Sequence, residues 1–115
     1  MRRDMDLIRS LLLQIESEEK ADLAGYTKEQ TLYHKRLLIE AGLAYGKALE
    51  DGEGKQKAVV ITRLSWEGHE FLDAARNQSV WNKAKEKIAQ VGASLAFPIL
   101  KDLLAVLVKE QLGIK

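Results

Sequence analysis

ITRLSWEGHEFLDAAR, residues 61–76, contains the transition on which the fold depends. Its opening ends a run rich in Val, Ile and Thr, whose branched side chains suit the pleated surface of a strand. Ser65 follows Leu64, and a serine hydroxyl can accept from the free N–H groups of a helix's first turn. The spacing therefore predicts a strand ending at 64 and a helix over 66–76. On that helix Gly68, Phe71, Leu72 and Ala75 share one face, and the bare Gly68 leaves room for another backbone.

Upstream, LAYGKALE and KQKAVVITRL flank DGEG, and Asp-Gly between two such runs is a strong hairpin signal. The reading is a two-stranded hairpin over 43–50 and 55–64. Before it, Thr27 and Gln30 have the spacing of a capping box, so a helix should start at Lys28 and stop at Gly42, after Ala41. Gln30, His34, Leu37, Leu38 and Ala41 fall on one side of this helix. Lys28, Thr31, Lys35 and Arg36 fall toward the other, with Leu32 and Ile39 among them. The first helix is expected over 4–18. Its stripe is Met5, Ile8, Leu11, Leu12 and Ile15, and Asp4 and Asp6 lie at the positive end of its dipole.

Downstream, Ser79 is a candidate cap for a helix over 80–91, with Trp81, Ala84, Ile88 and Val91 inward and Gly92 ending it. The last helix is expected over 97–112, with Pro98 tolerated in its first turn. Its Ile99, Leu100, Leu103, Leu104, Val106, Leu107 and Val108 cover about half the circumference, wider than an ordinary surface stripe. Such a helix must bury more than one side, against a second copy of the chain or within its own core. Ile99, Leu103, Val106 and Leu107 are the candidates for a homodimer contact.

Helix, helix, hairpin, helix is a winged-helix order. The expected fold class is α+β, mainly helical: a winged helix-like domain with a two-stranded wing over 1–77, and two additional C-terminal helices over 78–115 packing on it. The 115 residues can bury a core without staples, and 46% hydrophobic with 30% charged residues is ordinary for a soluble domain. With no cysteine, disulfides and thiolate metal sites are excluded. The first ten residues do not read as a signal peptide, and Lys101, Asp102 and Lys109 interrupt the C-terminal apolar run. A cytoplasmic protein without membrane association is expected.

Catalysis finds no support: the two histidines sit on different elements, and DGEG lacks the helix and Lys-Ser/Thr ending of a phosphate loop. No enzyme activity and no cofactor are expected. His69 has Asp73 one turn on, with Glu67 and Glu70 beside it, but one helix does not make a metal site; a structural histidine is the better reading. His34, on an apolar face, reads as a satisfied core histidine. Trp66 and Trp81 suit core positions better than stacking platforms for single strands. A net charge of +1 does not announce a nucleic-acid binder. A local patch is nevertheless available for double-stranded DNA: Lys28, Thr31, Lys35 and Arg36 on the helix, with Lys47, Lys55 and Lys57 on the wing. Glu29, Glu40, Glu50, Asp51 and Glu53 dilute it.

YHKRLLIEAGLAYG resembles the end of the recognition helix in winged-helix repressors, the ArsR-like regulators among them, where Glu-Ala-Gly-Leu leads into the wing. ITRLSWEGHEFLDA is similar to the turn that closes that wing. Together with RRDMDLIRSLLLQIE and VWNKAKEKI, these stretches resemble almost end to end a bacterial and phage-associated family, domain-of-unknown-function family 2513, with Trp66 to His69 the most specific part. The resemblance to that family implies a winged-helix-like fold and no established activity; the likeness to the repressors is what implies a small DNA-binding or regulatory protein, of phage or mobile-element origin. Two positions depart from the repressors: Lys35 stands where they tend to bury a leucine, and Ile39 where they tend to be polar. The segment 20–27 is also too short for a full intervening helix. An alternative follows, a protein-interaction module that keeps the fold without DNA contact and docks another protein on Leu32 and Ile39.

Overall fold

Helices start where a side chain can hold the first free N–H groups, and those starts set the frame of this chain. The computed structural model describes residues 2–17, 23–54, 56–91 and 97–113, apart from the side chains of Gln56, Val91 and Phe97. The chain is α+β and mainly helical: among the described residues there are five helices and one two-stranded antiparallel hairpin. The order is α1 (Met5–Ser17), α2 (Lys28–Glu40), β1 (Ala44–Glu50), β2 (Gln56–Leu64), α3 (Trp66–Ala75), α4 (Gln78–Val91) and α5 (Phe97–Gln111). Two compact units result, Met1–His69 and Glu70–Lys115, divided inside α3.

In the first unit Asp4 stands just ahead of α1 as its cap rather than inside it. Asp4 Oδ1 accepts from the N–H groups of Asp6 at 2.9 Å and Leu7 at 3.2 Å. Met5, Ile8, Leu11 and Leu12 are buried as the stripe predicts. Leu7 is buried as well, while Ile15 is only half-buried, so the buried face is broader than one stripe and ends earlier. Residue 18, the expected end of this helix, lies outside the described residues.

The capping box of α2 is reciprocal: Gln30 N–H donates to Thr27 Oγ1 at 3.0 Å, and Thr27 N–H to Gln30 Oε1 at 2.8 Å. At the other end Gly42 adopts φ 74°, which lets Gly42 N–H reach Ile39 O and Leu43 N–H reach Leu38 O. Those two bonds satisfy carbonyls the helix would otherwise leave free. His34 and Leu38 are buried, Gln30 and Leu37 half-buried, and Ala41 is exposed rather than on the inward side expected of it.

β1 and β2 pair antiparallel from Ala44↔Leu64 to Glu50↔Gln56, with bulges at Tyr45/Gly46 and Leu49/Glu50. At the first bulge a Cβ on Gly46 would meet Val60 O at 2.1 Å and Ile61 Cα at 2.9 Å, so only glycine fits. Leu43 precedes β1 instead of opening it, and Lys55 lies outside the described residues.

The β2–α3 junction answers to the reading of Ser65. Its Oγ accepts from Gly68 N–H at 3.0 Å and donates to Gly42 O, while Ser65 N–H donates to Leu43 O at 2.9 Å. The backbone approach foreseen at Gly68 is made by Leu43, whose carbonyl oxygen lies 2.0 Å from where a Cβ would sit. Thus α3 begins locked to the α2–β1 turn. α1 packs on α2 and β2, and α2 packs on both strands.

In the second unit Asn77, not Ser79, caps α4: Asn77 Oδ1 accepts from Val80 N–H at 3.1 Å, and Asn77 O from Trp81 N–H at 3.0 Å. Ser79 lies exposed within the first turn, because the helix starts two residues earlier than its position requires. Trp81, Ala84 and Ile88 are buried, and Phe71 meets Trp81 edge to face at 6.4 Å. The inward reading of Val91 and the stop at Gly92 fall outside what is described. α5 packs on α4. Its Leu100, Leu104 and Leu107 are buried, Leu103 and Val108 half-buried, and Ile99 and Val106 are 55% and 51% exposed.

The expectation for Trp66 fails as well. Trp66 is not a core residue: it is 74% exposed, since the buried Phe71 and Leu72 lie five and six positions on, across the helix from it. His69 is exposed, and its Nδ1 lies 3.8 Å from Glu16 Oε2 of α1, a contact between two helices. Among the described residues no helix is long and apolar enough to cross a membrane.

Candidate nucleic-acid interface

The cap at Thr27 fixes where α2 begins and so where its basic side chains emerge. Lys28 is exposed, and Thr31, Lys35 and Arg36 are half-buried. Thr31 turns its hydroxyl back to Thr27 O at 3.0 Å. Arg36 is engaged twice, by Glu40 Oε1 at 3.1 Å from Nε and by Glu50 Oε1 at 3.3 Å from Nη1. The second contact ties α2 to the end of β1. Exposed pairs of this kind contribute about 0–1 kcal/mol, so a phosphate can displace them.

On the hairpin Lys47 and Lys57 are exposed, and Lys55 is outside the described residues. At the tip, exposed Asp51 and Glu53 carry negative charge, and Asp51 Oδ1 holds the turn by accepting from Glu53 N–H at 2.8 Å. Leu32 and Ile39, the residues of the alternative docking face, are both half-buried.

Periodicity alone does not group the residues on the outer side of the hairpin. The pairs Tyr45↔Arg63, Lys47↔Val60 and Leu49↔Ala58 lie on one face, while Ala44, Val59 and Leu64 are buried on the other. Arg63 lies over the Tyr45 ring at 4.3 Å, a cation–π contact, and Nη1 donates to Leu64 O at 3.4 Å. The signal was the register: once Ala44 and Leu64 are paired, alternation and the first bulge place the rest.

Behind α2 the polar interior is structural, as expected of His34. Its Nε2 accepts from Asp4 N–H at 2.8 Å, so Nδ1 carries the proton donated to Gln30 O at 2.7 Å. The Tyr26 hydroxyl donates to Asp4 Oδ2 at 3.1 Å. Burial first, then that hydrogen bond and the Asp4 and Asp6 charges, push the phenol above its ordinary range. Burial lowers the Arg9 guanidinium, with Asp6 opposing. Among the described residues, no group of three or more His, Asp or Glu is placed to hold a metal ion. Asp73, the would-be partner of His69, instead pairs with Arg76 at 3.1 Å.

A protein of Haemophilus influenzae, described as an uncharacterized protein, is 33% identical over 120 residues, covering 98% of this chain and 100% of its own. No solved structure matches the chain. A family model described as Hypothetical protein (DUF2513) matches residues 2–94, which takes in both strands and the helices α1 to α4 and stops short of α5. With that span matched, the chain belongs to the DUF2513 family.

Proposed function

We propose that this protein is a small, non-catalytic winged-helix regulator that binds double-stranded DNA through α2 and the hairpin. It acts as a homodimer through Ile99, Leu103 and Val106 of α5. The observation that carries the reading is that a capped helix buries His34 and Leu38 while leaving Lys28 exposed and Lys35 and Arg36 partly exposed. A hairpin bearing Lys47 and Lys57 follows it directly and is joined to it through Arg36 and Glu50. In this reading the lysines meet phosphates and Arg36, released from its carboxylates, reaches a base edge in the major groove. The α5 contact sets the separation of the two half-sites. Leu107 is buried, so it supports the helix rather than the dimer face.

The test is an anisotropy titration of the full chain against a labelled mixed-sequence duplex. Affinity falls steeply between about 50 and 200 mM salt when several phosphates are bound. The double variant Lys35→Glu/Arg36→Glu abolishes binding; because it also sets residue 36 against Glu40 and Glu50, circular dichroism first confirms that the variant folds. Absence of binding at low salt, or binding indifferent to the charge reversal, overturns the reading.

A second reading, a protein-docking module on the same fold, draws on one observation. Arg36 is held by two carboxylates, and Asp51 and Glu53 bring negative charge to the tip that a phosphate backbone would approach. In that case Leu32 and Ile39 supply the apolar part of the contact.

A further inference from the structure

A guanidinium grips a phosphate or a base edge through a pair of N–H groups, either Nε with one Nη or the two Nη together. In Arg36 each of those pairs already has a nitrogen on a carboxylate. Nε donates to Glu40 Oε1 at 3.1 Å, and Nη1 lies 3.3 Å from Glu50 Oε1. Glu40 is the ordinary partner, four residues on along the same helix. Glu50 is of another kind, because it comes from the last residue of β1. Alternation from the buried Ala44 puts Glu50 on the side of the hairpin that faces α2, and α2 packs on both strands. With two carboxylates on one guanidinium, this spot carries one more negative charge than positive.

We infer that Glu50 is an autoinhibitory ligand of Arg36, holding the guanidinium as a DNA phosphate would. The inference rests on the DNA reading above and adds a regulation to it. A phosphate that approaches Arg36 displaces one carboxylate and does so against the charge of the other. Lys28 and Lys35 remain to attract the duplex, while the arginine is withheld until the clamp opens. The clamp is set by the fold rather than by the helix alone, since Glu50 is placed by the hairpin. Both side chains are partly exposed, so Glu50 lowers affinity without forbidding binding, and its removal is worth about fivefold. A contact that served only to tie the hairpin to α2 would give stability and leave affinity for DNA alone.

Anisotropy titrations of the full chain on a labelled mixed-sequence duplex, at about 50 mM salt, test it. The wild type is compared with Glu50→Gln and with Glu53→Gln. Each variant removes one exposed carboxylate from the hairpin; Glu50 touches Arg36, whereas Glu53 lies in the tip turn. Glu50→Gln tightens binding about fivefold, and Glu53→Gln, which lifts only a general repulsion, by less than about twofold. In an Arg36→Gln background the gain from Glu50→Gln falls to that of Glu53→Gln. Circular dichroism confirms that each variant folds. A wild type that binds no less tightly than Glu50→Gln overturns the inference and leaves the DNA reading standing. So does a gain matched by Glu53→Gln, or one undiminished without Arg36. A wild type that does not bind at low salt overturns the DNA reading itself, and the inference with it.

Discussion

Replacing Gly68 by alanine sets local helix preference against packing, and the two give opposite signs. Within α3 an alanine should be the better residue by about 1 kcal/mol, since glycine gives up more backbone freedom on folding. The new Cβ, however, would stand 2.0 Å from the Leu43 carbonyl oxygen, where ordinary contact begins at 3.4 Å. Relief therefore takes a displacement of 1.4 Å, the difference of those distances, in either α3 or the Leu43 peptide. Overpacking of that kind costs about 1–3 kcal/mol. The shift also pulls Gly68 N–H from Ser65 Oγ, and loss of a helix cap costs about 0.5–2 kcal/mol. After the propensity gain the net loss is about 2 kcal/mol, or roughly 8 °C in melting temperature for a chain of this size. Gly25→Ala is the control: nothing lies within 4 Å of its added Cβ, and it should leave stability unchanged or raise it slightly. Urea titrations followed by circular dichroism read both. A Gly68→Ala variant as stable as the wild type, or more so, refutes the close approach of α3 to Leu43.

Tyr26 gives a prediction on the alkaline side. Its folded-state pKa is raised above the unfolded value of about 10, so the native chain holds that proton more tightly. The associated stability is complete below the unfolded pKa and is lost as pH rises through the folded one. Tyr26→Phe cannot titrate and should show a shallower loss of melting temperature above about pH 10; superimposable alkaline limbs would count against the Asp4 contact. The two tryptophans should part company in chemical denaturation. Trp81→Ala empties a fully buried site and costs about 3–5 kcal/mol, while Trp66→Ala, on a side chain mostly in water, stays within about 1 kcal/mol. Equal losses would mean that Trp66 is packed.

Local chemistry made much of the fold legible. Thr27 with Gln30, Gly42 and Ser65 each act on backbone groups within a few residues, and each stands at the helix end read from the sequence. The same logic misplaced the start of α4, because Asn77 and Ser79 are both good caps and the choice between them rests on helix phase. Trp66 was misjudged for want of phase too: it neighbours Phe71 and Leu72 in sequence and opposes them on the helix. The outer hairpin face was hidden for a different reason. VVIT is apolar without alternation, and two bulges shift the parity between facing residues, so only the pairing tells that Val59 is buried and Val60 exposed. For the candidate interface, charge and helix position were readable. That Arg36 would be claimed by Glu50, fourteen residues on, depends on the α2–β1 turn bringing them together.

The two bulges also bear on solubility. A sheet of only two strands has nothing but edges, and a flat apolar edge invites further strands to add without limit. Bulges sharpen the twist of the ribbon and interrupt its ladder near both ends, and Lys47 puts a charge in mid-strand. Recruitment of an unfolded neighbour as a third strand is thereby discouraged, and a chain with so short a sheet is guarded against growth into fibrils.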